Sequence, residues 1–305
     1  MTVEVAGMMA AGAAALLVGV VLIRPQFVAA SGAVRILVLG PLAYAIALAI
    51  FAAEHYTAPR DLAPLVPHWL PAHLFWVYFV GTAWLAAAVS FLISRAVRWS
   101  APLVALMMLL IVATLDVPNI PTGFRQRFFW ILFVREISFA GGAMVLGGSV
   151  WPRGSLAGTA LMRIGRAIVA AVMIFYAVEH FLHPHHVVGV PLEKITPAWM
   201  PAPVLLPWIV GLALLLGGIG LLIRPAVRIA AAGAGAMLLL VTVFYYGPIL
   251  VAEFHTAPVD GLNYFGDTLL FTGTVLLAGL GANRLPSEGL PVDTAPDSCL
   301  LTTDS

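Results

Sequence analysis

Nine long, nearly uncharged stretches follow one another along the chain, at Val5–Ile23, Ile36–Ala53, Ala72–Ser94, Trp99–Leu115, Phe128–Val150, Leu161–Val178, Pro201–Ile223, Ile229–Ala252 and Thr268–Asn283. Most approach the roughly 20 residues needed to cross a hydrocarbon core about 30 Å thick, and the shorter ones can extend through polar helix ends. With 62% hydrophobic residues, 10% charged residues and a mean hydropathy of +1.02, the chain falls outside the soluble class. The expectation is an all-α, polytopic transmembrane helical bundle of about nine helices.

The first stretch has no Lys or Arg before it, carries Glu4, and is too long for the apolar region of a signal peptide. It reads as a retained helix, with cleavage near Ala29–Ser31 as the alternative. Net charge is only +1, which points to no nucleic-acid partner. The distribution says more. Arg24, Arg35, Arg95, Arg98, Arg153, Arg163, Arg166, Arg224, Arg228 and Arg284, ten of the fifteen basic residues, fall on one side of an alternating topology. The positive-inside rule makes that side cytoplasmic, with the amino terminus outside and the carboxyl terminus inside. All eight histidines then fall on the outer side, which gathers the titratable and metal-capable groups at one face. The single cysteine, Cys299, rules out an intrachain disulfide and a CxxC dithiol.

The two halves echo each other. Glu54-His55 recurs as Glu179-His180, and Val66-Pro67-His68-Trp69-Leu70-Pro71 as Thr196-Pro197-Ala198-Trp199-Met200-Pro201. Phe79-Val80-Gly81 matches Ile209-Val210-Gly211, Leu92-Ile93 matches Leu222-Ile223, Arg98 matches Arg228 and Pro118 matches Pro248. Arg135-Glu136 aligns with Gly266-Asp267, each before a Gly-rich helix. The spacing drifts only between 125 and 131 residues, which predicts a duplication. Each copy contributes four crossings, so the two are parallel four-helix repeats about an axis along the membrane normal. The expected organisation is an extra helix at 1–30, a first repeat at 31–152, a second at 153–285 and a disordered cytoplasmic tail at 286–305. Small residues such as Gly141-Gly142, Gly147-Gly148 and Gly217-Gly218 suit close helix packing.

Several polar groups could carry chemistry. In Glu179-His180-Phe181-Leu182-His183-Pro184-His185-His186, His180 and His183 share a helix face and the proline can fold His185 and His186 back. Such imidazoles suit a transition metal such as Zn, Cu, Ni or Fe(II); the plainer alternative is a solvated loop. Glu54-His55 and Glu179-His180 could form one shared central site in which the carboxylate orients the imidazole, or could simply anchor their helices. Glu136 and Asp267 lie in or at the edge of crossings, where a charge costs about 2.5–3.5 kcal/mol on insertion scales. A partner on another helix is expected for Glu136, and Arg125, Arg127 or a histidine for Asp267. A structural ion pair is the alternative to a proton or ligand site. Trp69 and Trp199 belong to an aromatic belt. A flat hydrophobic ligand could stack there, with Asn263, Tyr264 or a Glu-His pair at its polar end. There is no glycine-rich nucleotide loop, no CxxCH and no serine-nucleophile elbow.

Phe51-Ala52-Ala53-Glu54-His55, Phe175-Tyr176-Ala177-Val178-Glu179-His180-Phe181, the Pro-x-Trp-[Leu/Met]-Pro run and Gly261-Leu262-Asn263-Tyr264-Phe265-Gly266-Asp267 through Phe271 resemble the DoxX-like group of bacterial membrane proteins. The similarity covers both repeats, about residues 35–285. It implies four-helix units in a bacterial inner membrane and, for function, a link to quinone redox chemistry, with a redox partner subunit. Here the unit is doubled and lacks redox cysteines. The leading expectation is therefore an outward-facing site of Glu54, His55, Glu179, His180, Glu136 and Asp267 that binds a small lipophilic ligand such as a quinone. A transporter or metal-handling protein is a second reading, and a structural or assembly subunit a third.

Overall fold

The computed structural model describes residues 2–282. The tail at 286–305 with Cys299, the basic Arg284 and the expected helix end at Asn283 lie outside the described residues.

The described residues form helices joined by turns, with no strand among them. Nine helices have fifteen residues or more: α1 (Val3–Ala29), α2 (Gly40–Thr57), α3 (His73–Ile93), α4 (Val97–Ile111), α5 (Arg127–Ser149), α6 (Leu156–Leu182), α7 (Leu205–Leu222), α8 (Val227–Val241) and α9 (Pro258–Ala278). Where no water can satisfy the backbone, a helix meets its own hydrogen-bonding demand. Polar residues mark the starts: the Thr2 hydroxyl accepts from the Val5 N–H at 3.3 Å, and the Ser155 hydroxyl from Gly158 at 3.2 Å. Eight of the nine, taken with their short extensions, are long and apolar enough to cross a membrane.

The exception is α9, whose apolar run is diluted by Asp260, Asn263 and Asp267. From Gly266 to Ala278 every residue of α9 is buried, so this helix is surrounded by protein, packing on α2, α5 and α8. It begins at Pro258, far ahead of the expected Thr268, and ends before Gly279, with Gly281 at φ +63°. Proline at a first turn and glycine after the last one explain both limits. Asp267 consequently sits in the middle of a helix, one turn or more from either end.

Two helices are wound loosely at matching places. After α4 a π-helical turn runs from Val112 to Asp116, and after α8 another from Thr242 to Tyr246. Pro118 and Pro248 follow them by two residues. A proline has no N–H and its ring crowds the carbonyl four residues back, so the wider turn accommodates it.

Glycines set how closely the helices approach. A Cβ at Gly19 of α1 would come within 2.2 Å of Leu42, and one at Gly165 of α6 within 2.3 Å of the Gly141 carbonyl of α5. The first contact seats α1 on α2. Between helices in lipid this close packing, rather than hydrophobic burial, drives association. At the arginine-rich end, buried Arg166 donates to the carbonyls of Ala278 and Leu280, each at 3.0 Å, satisfying the end of α9.

Candidate functional site

A cavity of about 690 Å³ lies between α3 and α4, floored by α2, α5 and α9. Its walls are apolar: Trp76, Phe79, Val80 and Trp84 come from α3, and Met107, Leu110 and Ile111 from α4. Leu65, Val66, Pro67, Trp69 and Leu70, from the segment before α3, cover the histidine-bearing end. Phe79 and Leu110 are 51% and 53% exposed, so the gap between α3 and α4 opens sideways.

The polar groups gather opposite that gap. Glu54, His55, Arg135, Glu136, Asn263, Tyr264 and Asp267 all line the cavity, together with Glu193 and Asp260. Arg135 donates to Asp267 at 2.5 Å and to Glu136 at 3.4 Å. This corrects the sequence expectation: Asp267 takes neither Arg125, Arg127 nor a histidine, and the immediate neighbour Arg135 does reach Glu136. The long guanidinium bridges two helices because α5 and α9 pack side by side. Asn263 donates to Glu54 at 3.0 Å, and the Tyr264 hydroxyl donates to Glu193. Trp84 Nε1, Arg135 Nε, Glu136 Oε2 and Asn263 Oδ1 are buried and make no hydrogen bond among the described residues.

The two Glu-His pairs do not meet in one shared site. His55 Nδ1 donates to the Phe51 carbonyl at 2.8 Å and His180 Nδ1 to the Tyr176 carbonyl at 2.6 Å. Each ring is thus oriented by the backbone one turn earlier, and not by its neighbouring glutamate. Each also has a glycine behind it. A Cβ at Gly81 would stand 2.6 Å from His55 Cβ, and one at Gly211 3.1 Å from His180 Cβ.

Beyond that the halves differ. His180 is fully buried, and its Nε2 accepts the Gly189 N–H at 3.1 Å. Glu179 binds Arg127 at 2.7 Å, and Arg127 also donates to the Leu192 carbonyl at 2.8 Å. The segment Val187-Val188-Gly189-Val190-Pro191-Leu192 fills the space beside His180, while His55 faces the open cavity.

This geometry also corrects the metal expectation. With both nitrogens of His180 in hydrogen bonds, no lone pair remains for a metal. His183 lies 3.6 Å from Glu179 and 5.5 Å, ring to ring, from His186, and no group of three or more His, Cys, Asp or Glu side chains among the described residues could hold a metal ion. Burial, with Arg127 and His183 nearby, holds His186 below the ordinary histidine pKa. Trp69 lines the cavity, whereas Trp199, 54% exposed, does not.

Sequence reasoning passed over three contributors. These are Trp84, Glu193 and the 187–192 segment. The apolar run Val187–Leu192 between His186 and Glu193 is the signal that could have revealed a buried loop.

Residues 44–126 are similar to a family described as a domain of unknown function (DUF8561). That stretch contains most of α2 and all of α3 and α4, the elements that form the apolar side of the cavity. No curated protein and no solved structure matches the chain.

Proposed function

We propose that the chain is a multi-pass protein of a bacterial inner membrane that binds a small lipid-soluble ligand in the cavity between α3 and α4. The observation that carries this reading is the joining, in one cavity, of an aromatic and aliphatic wall open toward lipid with a buried floor of Glu54, His55, Arg135, Glu136 and Asp267. Ligand sites combine a mainly apolar lining with a few convergent polar groups in this way. A molecule dissolved in the bilayer can enter between Phe79 and Leu110 without passing through water, and its head can reach the polar floor.

Nine crossings with the amino terminus outside place this floor nearer the outer face, in agreement with the arginine bias of the other side. Buried α9 serves as the ninth crossing. The duplication is supported by the paired π turns, the paired prolines behind them, and the paired Gly81–His55 and Gly211–His180 contacts. The resemblance to DoxX-like proteins adds a quinone as the ligand class and a redox subunit as the role, with Glu54 and His55 as the groups that exchange protons. A transport role has less support, because α9 is buried continuously below Asp267.

Native mass spectrometry of the full chain, released from nanodiscs prepared with native lipid extract, tests the reading. A retained small lipophilic mass is expected, and Leu110→Trp, which fills the cavity and leaves every polar group in place, should remove it. A bare polypeptide, or a ligand mass unaffected by Leu110→Trp, would overturn the proposal.

A further inference from the structure

The second half of the chain holds an occupied counterpart of the open cavity. Val187, Val188, Val190 and Leu192 are all 0–1% exposed, so the loop supplies an apolar body that packs where a ligand could otherwise sit. Its polar contacts are specific. Gly189 N–H meets His180 Nε2 at 3.1 Å, and the Val190 carbonyl accepts from the Thr268 hydroxyl at 2.7 Å. Gly189 has φ +113°, a conformation that L side chains rarely adopt. The glycine is what lets a backbone N–H point at the ring.

The same demand exists at His55, and nothing among the described residues meets it. The Phe51 carbonyl can only accept, so His55 Nδ1 carries the proton and the neutral ring presents a lone pair at Nε2. Among the described residues His55 makes no ion pair, since Glu54 is engaged by Asn263, and its Nε2 makes no hydrogen bond. Trp84 packs edge-on against this imidazole at 4.8 Å, an aromatic wall directly beside it.

From this correspondence, and resting on the reading of the cavity as a lipophilic site, we infer that its ligand presents a hydrogen-bond donor to His55 Nε2. The ligand class is a lipid-soluble hydroxyl compound with an aromatic head, a phenol or a quinol, in preference to a molecule whose head carries acceptors only. The hydroxyl takes the place that Gly189 N–H holds in the other half. Its aromatic ring stacks or packs edge-on beside Trp84, and its tail leaves between α3 and α4. For a quinone-linked system this makes the reduced form the bound partner and the oxidised form the one released.

Two probes separate the inference from its premise. The full-length protein in nanodiscs is titrated with 4-octylphenol and with its methyl ether, which has the same body without the donor, and tryptophan fluorescence is followed after correction for partitioning into lipid. The phenol should bind about ten-fold more tightly, the effect of one buried hydrogen bond of roughly average strength. That preference should fall to less than about two-fold in His55→Phe and be partly retained in His55→Gln, whose amide oxygen can still accept. Far-UV circular dichroism checks the fold of each variant; should His55→Phe fail to fold, the wild-type pair of affinities and His55→Gln still decide. Equal affinity for both probes, or an undiminished preference in His55→Phe, overturns the donor rule while the cavity reading stands. No saturable binding of either probe overturns both.

Discussion

Replacing Arg135 by methionine, similar in reach but uncharged, should destabilise the bundle more than any change to a single acid around it. Arg135 stands 2.5 Å from Asp267 and 3.4 Å from Glu136, with 14%, 12% and 23% of the respective side chains exposed. At an effective dielectric of about 20, the attraction is roughly 6–7 kcal/mol for the closer pair and roughly 5 for the other. Desolvation of the three charges cancels much of this, and breaking a buried pair typically costs about 3–5 kcal/mol because an uncompensated charge is left behind. Arg135→Met leaves two such carboxylates, so the loss belongs at the upper end, about 4–5 kcal/mol. Asp267→Asn leaves Arg135 still paired with Glu136, and about 1–2 kcal/mol is expected. Equilibrium unfolding in mixed detergent micelles, followed by circular dichroism, measures both. The double variant Arg135→Met/Asp267→Asn should recover part of the loss of Arg135→Met alone, a coupling that the double-mutant cycle isolates. A loss below about 1 kcal/mol for Arg135→Met, or equal losses for the two single variants, would refute the view that one guanidinium holds both acids.

Gly81→Ala should cost about 1–3 kcal/mol, since its Cβ would lie 2.6 Å from His55 Cβ, whereas Gly233→Ala, with nothing within 4 Å, should stabilise α8 by about 0.5–1 kcal/mol. Thermal unfolding of both variants checks this, and shifts of the same sign would contradict the packing argument. Acidification should loosen the loop that covers His180. The pKa of His186 is lowered in the fold by burial first, then by Arg127 and His183, against smaller opposite effects of the His183 carbonyl and Glu179. Its contribution to stability is therefore complete above the unfolded value of about 6.5 and is lost as pH falls through the folded value. Hydrogen exchange at Val187–Leu192 should be faster at pH 5 than at pH 7.5, and pH-independent protection, after correction for intrinsic rates, would rule out this linkage.

How much of this was legible in the sequence follows from which forces act over short range along the chain. Hydropathy alone located the apolar helices, because the bilayer and the backbone leave few other solutions. It misplaced the last helix, since α9 is sheathed by protein and is free to carry Asp260, Asn263 and Asp267 among its apolar residues. Glu54, His55, Glu136 and Asp267 were recognisable as costly residues in apolar segments, and all four line the cavity. Glu179 and His180 carried the same signature and are elsewhere, one held by Arg127 and the other by Gly189. Nothing local distinguishes the two pairs. The difference lies in the residues that follow, a lid over an open space after His55 and a buried loop after His180.

That difference bears on why, under the proposed duplication, the cavity at His55 has no open counterpart at His180 among the described residues. Two equal halves would offer two polar floors inside the bilayer, each with acids and an imidazole in need of partners, and each costly when empty. In the second half the chain supplies the partners itself. The backbone N–H of Gly189 satisfies His180, Arg127 neutralises Glu179 while holding the Leu192 carbonyl, and Thr268 holds the loop at Val190. The internal loop is tethered, so it loses little freedom on docking and stabilises its half permanently. In the first half Arg135 is shared by Asp267 and Glu136, Asn263 donates to Glu54, and among the described residues His55 Nε2 and the indole of Trp84 make no hydrogen bond. With one guanidinium among three acids the floor disfavours an anionic head, and the neutral acceptor His55 Nε2 is open to an uncharged donor. An anionic head would have to take Arg135 from Asp267 and Glu136 to be compensated, whereas a hydroxyl needs only the lone pair already presented to it.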